Sequence, residues 1–357
     1  MDKSDGSSQA FTYNSKKYNL FPMKRSTLFL LPFIFILFST QPLIAQNIDY
    51  KKLEQIPDSV KIGNIVILNL FKHQLLAHKN NKYDSVRIIN NVYLPHKKLW
   101  DSCYGVIFGE ENGHLFNNPK GMISWNKTLY RDNKKQFEEK TNILLGINVE
   151  KTLKKTLTKF RTLVPFQPKA KISLLFTPLT GIAFGGCNDE QFALELNNKS
   201  LDILYAFEKG FPHELNHLVY EHFRKANPDG ESALSQTIDE GFACYFTYVF
   251  FDRKIQKYEA VENMTQENWN WYVTHEKEIF TKLKPYFTDT SGNNPLLRND
   301  KLKTFPEAPK SINYWLGFRI IEKYVEKHGS DSWKDVYNMT PKDLLEKSGY
   351  EKYIENL

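Results

Sequence analysis

From Asn47 to about Gly146 the hydrophobic pattern is largely that of helices, with Ile65–Leu76 mostly apolar and followed by basic residues. Val149–Leu163 repeats apolar residues every three or four positions and keeps its lysines on the other face, which predicts an amphipathic helix. The period then shortens. Ile172–Thr177, Gly181–Phe184 and Gln191–Leu196 read as strands; in the last, Phe192, Leu194 and Leu196 alternate with Ala193 and Glu195, the spacing of a half-buried strand. Gly185-Gly186 and Asn188-Asp189 read as turns. From Phe211 to the end the pattern is mainly helical, with breaks at Asn227-Pro228-Asp229-Gly230 and Thr290–Pro295, while Gly105–Gly121 fits no element. There is no internal repeat and no low-complexity linker. The expected fold is α+β, mostly helical with a small mixed sheet, in one domain over 46–357. Its parts are a helical N-terminal region (46–165), the sheet and central helices (166–252) and a C-terminal helical lobe (253–357).

Composition narrows the class. The chain has 357 residues, 41% hydrophobic and 14% aromatic, with a net charge of +7, enough apolar content for a substantial core. Outside Met1–Ala45 the balance is only +4, and no basic stripe is interleaved with aromatics, which argues against a nucleic-acid partner. Met23-Lys24-Arg25, the apolar run Leu28–Phe38 and the small residue Ala45 have the order of a secretory signal peptide. Residues 1–45 therefore read as a leader and signal peptide starting at Met23, with an uncleaved anchor as the competing reading. The run is interrupted by Pro32 and is shorter than the ~20 residues of a membrane span. No stable span is expected after cleavage, and the product is expected to be exported, periplasmic or extracellular. No cysteine follows the apolar run at the cut, so a lipid anchor is not suggested. Three cysteines allow one bridge at most; Cys103 and Cys187 are the candidate pair, and Cys244 reads as a small buried hydrophobe.

The chemistry is concentrated in His213-Glu214-Leu215-Asn216-His217, an H-E-x-x-H motif preceded by Pro212. Proline suits the first turn of a helix, where its missing N–H has no intrahelical partner. On that helix His213 and His217 are i and i+4, spaced to share a metal ion, and Glu214 reaches a water on that ion without itself being a ligand. A third ligand follows from geometry. If the motif helix and the helix starting near Ser232 form a hairpin about the Asn-Pro-Asp-Gly break, His217 and Glu240 stand at the same level, each ~17 Å from the turn at about 1.5 Å per residue. Gly241 supports a close helix approach there, because a mid-helix glycine costs about 1 kcal/mol relative to alanine. Glu221 is the rival ligand, one turn past His217. Cys244, four residues after Glu240, either points toward the metal or packs in the core.

His213-Glu214-x-x-His217, with 22 residues between His217 and the Glu240 of Asp239-Glu240-Gly241-Phe242-Ala243, resembles the gluzincin metallopeptidases. The Glu-Gly-Phe-Ala stretch is similar to that of the aminopeptidase N group. A closer resemblance is to the predicted zinc-dependent proteases of bacteria, including exported Bacteroidota members related to gliding-motility proteins. The stretches that carry it are Gly181–Gly186, the motif helix, Asp239–Ala243 and Tyr314-Trp315-Leu316-Gly317, within about Leu153–Gly329. The resemblance implies a zincin-like fold with the sheet above the active-site helix, Zn2+ as cofactor and a peptide or protein substrate. The Gly-x-Met-Glu-Asn stretch that anchors a free amino terminus in aminopeptidases is absent, so endo- and exopeptidase action both stay open.

The expected chemistry is hydrolysis by a water activated on zinc, with Glu214 as general base and with Tyr314, on the resemblance, as a donor to the developing oxyanion. Tyr314 has core packing as its other reading. Asp239 is expected either to orient a histidine ligand or to lie in solvent. Gly181–Phe184 is either an edge that pairs with substrate or a buried strand, and Trp269-Asn270-Trp271-Tyr272 lines a cleft or packs a helical lobe. His96, His114, His222 and His275 have no ligand spacing. The alternative function is a non-catalytic binding or scaffold protein of the cell envelope on a peptidase-like fold. Nothing in the pattern defines an oligomeric state.

Overall fold

The computed structural model describes residues 48–357 apart from 80–81, 106–107, 180–183, 188–189, 200 and 263. The leader and Gly181–Ala183 of the candidate edge strand lie outside the described residues. Five strands form one mixed sheet: β1 (Ser59–Ile62), β2 (Ile65–Leu68), β3 (Ala170–Leu175), β4 (Phe184–Cys187) and β5 (Gln191–Glu195). Their spatial order is β1-β2-β3-β5-β4, with β2–β3 and β3–β5 parallel and the outer pairs antiparallel. Around it lie helices α1 (Leu70–Leu76), α2 (Pro119–Gly146), α3 (Val149–Leu163), α4 (Phe211–Ala226), α5 (Ala233–Phe250), α6 (Glu276–Leu283), α7 (Ile312–His328) and α8 (Tyr350–Glu355), with further short helices and turns among them.

The sheet accounts for three departures from the sequence reading. Ile65–Leu76 is not one helix: β2 leads into α1 through Asn69. The hairpin that starts it turns on Gly63-Asn64, where Gly63 takes a φ of +61°, as the first residue of a two-residue hairpin loop requires. Second, β5 is buried along its whole length rather than on one face. Ile172, Leu174, Phe192 and Leu194 point into the main core, while Leu175 and Ala193 point to a second apolar cluster built on Trp100, Tyr104, Phe116 and Trp125. A sheet covered on both faces leaves no polar face for the period to report. Third, Gly185-Gly186 is part of β4, paired with Phe192-Ala193, rather than a turn.

The helical predictions hold closer. The amphipathic helix is α3, Val149–Leu163, capped by Asn148 on the Lys151 N–H. The C-terminal half packs around α5 and α7, whose buried faces include Phe242, Phe246, Trp315 and Phe318. A buried ion network ties this lobe together. Arg319 of α7 bonds both oxygens of Glu276 on α6 (2.9 and 3.1 Å) and also reaches Glu322, and the Tyr350 hydroxyl of α8 donates to Glu276 at 2.7 Å. Trp269 and Tyr272 belong to this core, against Phe318 and Trp315, while Asn270 is exposed and the half-buried Trp271 stacks on His275. Cys103 is disulfide-bonded and Cys244 is a free, buried thiol, in keeping with one bridge that excludes Cys244.

Candidate metal centre

The helix that carries the motif grows out of a π-helical turn, Ala206–Gly210, with Pro212 in its first turn. It ends at the Asn-Pro-Asp-Gly break, and Ser232 caps α5 by accepting the Ser235 N–H. The two helices run antiparallel: His213 meets Cys244, His217 meets Asp239, and Arg224 meets Glu231, three contacts centred within half a residue of 228. This is the hairpin inferred from the sequence.

At its middle, His213 Nε2 and His217 Nε2 lie 3.0 Å apart, and Glu240 Oε2 stands 3.5 and 3.3 Å from them. A tetrahedral ion about 2.0–2.1 Å from each donor requires donors about 3.3 Å apart, so the three atoms have the spacing of a zinc ligand set. Glu240 Oε2 is buried, and no aligned hydrogen bond reaches it. An orphaned acceptor facing two imidazole nitrogens is the arrangement a cation would satisfy.

The nitrogens turned away from this point are also occupied. His217 Nδ1 lies 2.7 Å from Asp239 Oδ1, and Asp239 Oδ2 is ion-paired with Arg224 at 3.0 Å. Asp239 therefore holds the His217 ring with Nε2 toward the site, while Arg224 holds Asp239. Behind His213 the partner is neutral, the Cys244 sulfur at 3.8 Å from Nδ1. Cys244 thus backs a candidate ligand without facing the metal position. Glu221 is not at the site; it is half-buried and paired with Lys225 at 2.8 Å.

Burial sets the electrostatics. It opposes a charge on His217, but the Asp239 and Glu240 carboxylates outweigh it and raise the pKa of the ring. Glu240, also opposed by burial, is held below the usual carboxylate range by His217 and His213. Burial pushes Glu214 well above that range, against the pull of His217.

Tyr314 reaches the site from the other side. Its ring lies parallel to His213 with centroids 6.1 Å apart, and its hydroxyl feels the charges of Glu240, Glu262 and Glu214, with burial raising its pKa. The close crossing of α5 and α7 puts it there. A methyl group on Gly241 would stand 2.1 Å from the Gly317 backbone, and one on Gly317 would stand 2.0 Å from the Thr237 carbonyl oxygen. Gly241 therefore marks a close approach, as expected, but to α7 and not across the α4–α5 hairpin. Glu240 precedes Gly241 by one residue and Tyr314 precedes Gly317 by one turn, so the crossing brings both to one place.

Glu262, Arg224 and the Cys244 contact were not found by sequence reasoning. Arg224 lies two turns past His217 on the same helix, a spacing that could have suggested it. Glu262 sits in a connection beyond α5 with no motif around it, so no local signal existed. Its carboxylate joins His213 and Glu214 in a second group whose ligand atoms all lie within 4.8 Å of one another.

Residues 208–352 match the family model described as Gliding motility protein GldB. That span takes in both hairpin helices, Glu262 and Tyr314. No curated protein and no solved structure matches the chain. Among the described residues, no helix is long and apolar enough to cross a membrane.

Proposed function

We propose that the chain is an exported zinc-dependent peptidase of the cell envelope, and the observation that carries this is the placement of Glu214 beside a fitted three-donor site. A structural metal site has no use for a buried carboxyl with a raised pKa next to its ligands. His213, His217 and Glu240 would hold the ion. When bound, it supplies a Lewis acid that polarises a carbonyl and brings the pKa of a water toward neutrality. Glu214 accepts the proton of the attacking water and carries it toward the leaving amine. Tyr314 presents a protonated hydroxyl to the side on which the carbonyl oxygen gains charge. Asp239 and Arg224 keep His217 in the tautomer that leaves Nε2 free.

A second reading, a non-catalytic binding or scaffold protein that keeps this site, is favoured by the family match, whose description names cell movement and no enzymatic activity. It is the reading that the comparison supports better, and the peptidase is the one that the site geometry supports better.

One experiment separates them. The chain from residue 46, purified without a histidine tag, is assayed for zinc and for cleavage of a peptide library alongside Glu214→Gln. A peptidase keeps about one zinc per chain in both proteins and loses roughly 10²–10⁴-fold in turnover in the variant. Zinc in both with no cleavage by either, and unimpaired cellular function of Glu214→Gln, supports the scaffold. No zinc in the wild-type protein overturns the metal reading.

A further inference from the structure

The amphipathic helix α3 collects positive charge on its outer side. Lys151, Lys154, Lys155, Thr158 and Arg161 all lie on that side, all are exposed, and they form a ridge ~15 Å long at about 1.5 Å per residue. The opposite side, with Leu153, Leu157 and Phe160, is buried in the main core. Across a cleft of about 280 Å3 from α3 stands the β1–β2 hairpin, which adds Lys61. The Arg161 guanidinium lies over the hairpin turn because residue 63 is glycine, where a Cβ would collide with it. These cations are uncompensated. Elsewhere Lys79, Lys97, Lys134, Lys209, Lys225 and Lys282 each face a carboxylate. On α3 it is Lys159 that is paired, with Asp252 at 3.1 Å, and among the described residues no carboxylate pairs with Lys61, Lys151, Lys154, Lys155 or Arg161. Five cations against Glu150, the acid in the cleft, leave +4. The whole of residues 46–357 also carries +4, so the remainder of that body is balanced.

We propose that this face is a docking surface for an anionic phospholipid bilayer. The sign of the partner follows from the uncompensated charge, and its extent follows from the shape. All five cations are exposed heads in a long array, with no buried polar group among them to cage a single ion, so an extended anionic surface meets them better than a small ligand does. The helix does not insert, because its apolar residues are committed to the core. Contact is therefore with lipid headgroups, where each lysine or arginine adds its own share and the attraction fades within a Debye length. Phe160 on the inner side of α3 packs edge-on against Phe246 of α5, with ring centroids 5.2 Å apart. A docked α3 thus fixes the helix that carries Glu240 relative to the bilayer. None of the docking residues belongs to the metal site, so the face stands or falls apart from the zinc reading.

The test mixes residues 46–357, which hold every described element of the fold, with vesicles of phosphatidylcholine containing phosphatidylglycerol and, separately, of phosphatidylcholine alone. Bound protein is measured by flotation. The expected result is binding to the anionic vesicles, none to the neutral ones, and weakening as salt is raised. Combining Lys151→Gln, Lys154→Gln and Arg161→Gln should weaken binding about 100-fold, at about fivefold per charge. The matched control, Lys277→Gln with Lys301→Gln and Lys352→Gln, removes the same charge from the C-terminal lobe and should change the affinity by less than about threefold. All six positions are exposed, so both variants keep the fold. Equal weakening by the two triple variants would overturn the docking face in favour of a net-charge effect. Equal binding to neutral and anionic vesicles, or binding to neither, would overturn it outright. Retention on heparin without binding to anionic vesicles would also overturn it and assign the face to an acidic macromolecule.

Discussion

Replacing Gly241 or Gly317 by alanine should damage the protein by an amount the helix crossing fixes. The added methyl at Gly241 meets the Gly317 carbonyl carbon at 2.1 Å and its Cα at 2.3 Å, and the one at Gly317 meets Thr237 O at 2.0 Å and the Gly241 Cα at 2.9 Å. Ordinary contacts are well over 3 Å, and every obstacle is backbone, so α5 and α7 must separate by about 1 Å. Overpacking of this kind costs about 1–3 kcal/mol, and a rigid backbone neighbour places these sites at the upper end. Alanine offsets about 1 kcal/mol through helix propensity. The net loss is about 2 kcal/mol per substitution, which lowers Tm by roughly 4–8 °C at about 2–4 °C per kcal/mol. Gly210→Ala is the control, because its methyl would meet nothing nearer than 4.0 Å and the residue already has a φ of −67°. It should be neutral or slightly stabilising. Thermal melts and urea titrations of the three variants decide the matter. Melting of Gly241→Ala and Gly317→Ala within a degree of wild type, or an equal loss in Gly210→Ala, would show that the crossing is looser than described.

Other outcomes follow from the site and from a histidine remote from it. Asp239→Asn should weaken zinc binding by about 10–100-fold in a chelator competition; unchanged affinity would reduce Asp239 to a partner of Arg224 alone. Burial lowers the pKa of His78 to about 4, only partly opposed by its hydrogen bond to the Asn126 carbonyl. The unfolded chain then binds a proton between about pH 6.5 and 4 that the folded one does not. Stability is complete above that window and falls on acidification through it, by at most about 1.4 kcal/mol per pH unit for this group. Urea titrations from pH 7 to 4.5 should show a shallower slope for His78→Gln; a slope equal to wild type would mean that the ring is protonated in the fold.

The hairpin that carries His213, His217 and Glu240 was legible because each of its signals is local. The i, i+4 histidines, Pro212 and the Asn-Pro-Asp-Gly break lie within a few residues of what they define, and a helix rises by a fixed amount per residue, which carries the register from His217 to Glu240. The strands were legible only in part. β1 and β2 were missed although Lys61-Ile62-Gly63-Asn64-Ile65 holds a two-residue hairpin signal, because the apolar run into Leu76 reads as a single helix when it is in fact two elements in succession. β5 was placed correctly but given one solvent face, since its alternation does not reveal that Ala193 packs against the Trp100 cluster. Asp239 and Tyr314 were named with an alternative attached; Asp239 lies against His217, whereas Tyr314 is buried in the main core with its ring parallel to His213, so both of its readings stand. Glu262 was beyond reach, because its position depends on how the connection after α5 folds back over Cys244.

The distribution of the centre's parts along the chain also bears on how such a protein diverges. The three candidate metal donors and the pair that orients His217 come from one hairpin, Phe211–Phe250, whose contacts are short-range in sequence. Glu262 and Tyr314 come from two later segments outside that hairpin. On the metallopeptidase reading, drift in those segments would extinguish or redirect reactivity without dispersing the three donors, while a change within the hairpin would remove both together. On that reading a lineage built this way would shed turnover and keep the donor hairpin for other duties, and single substitutions outside the hairpin are where its active and inactive members would part.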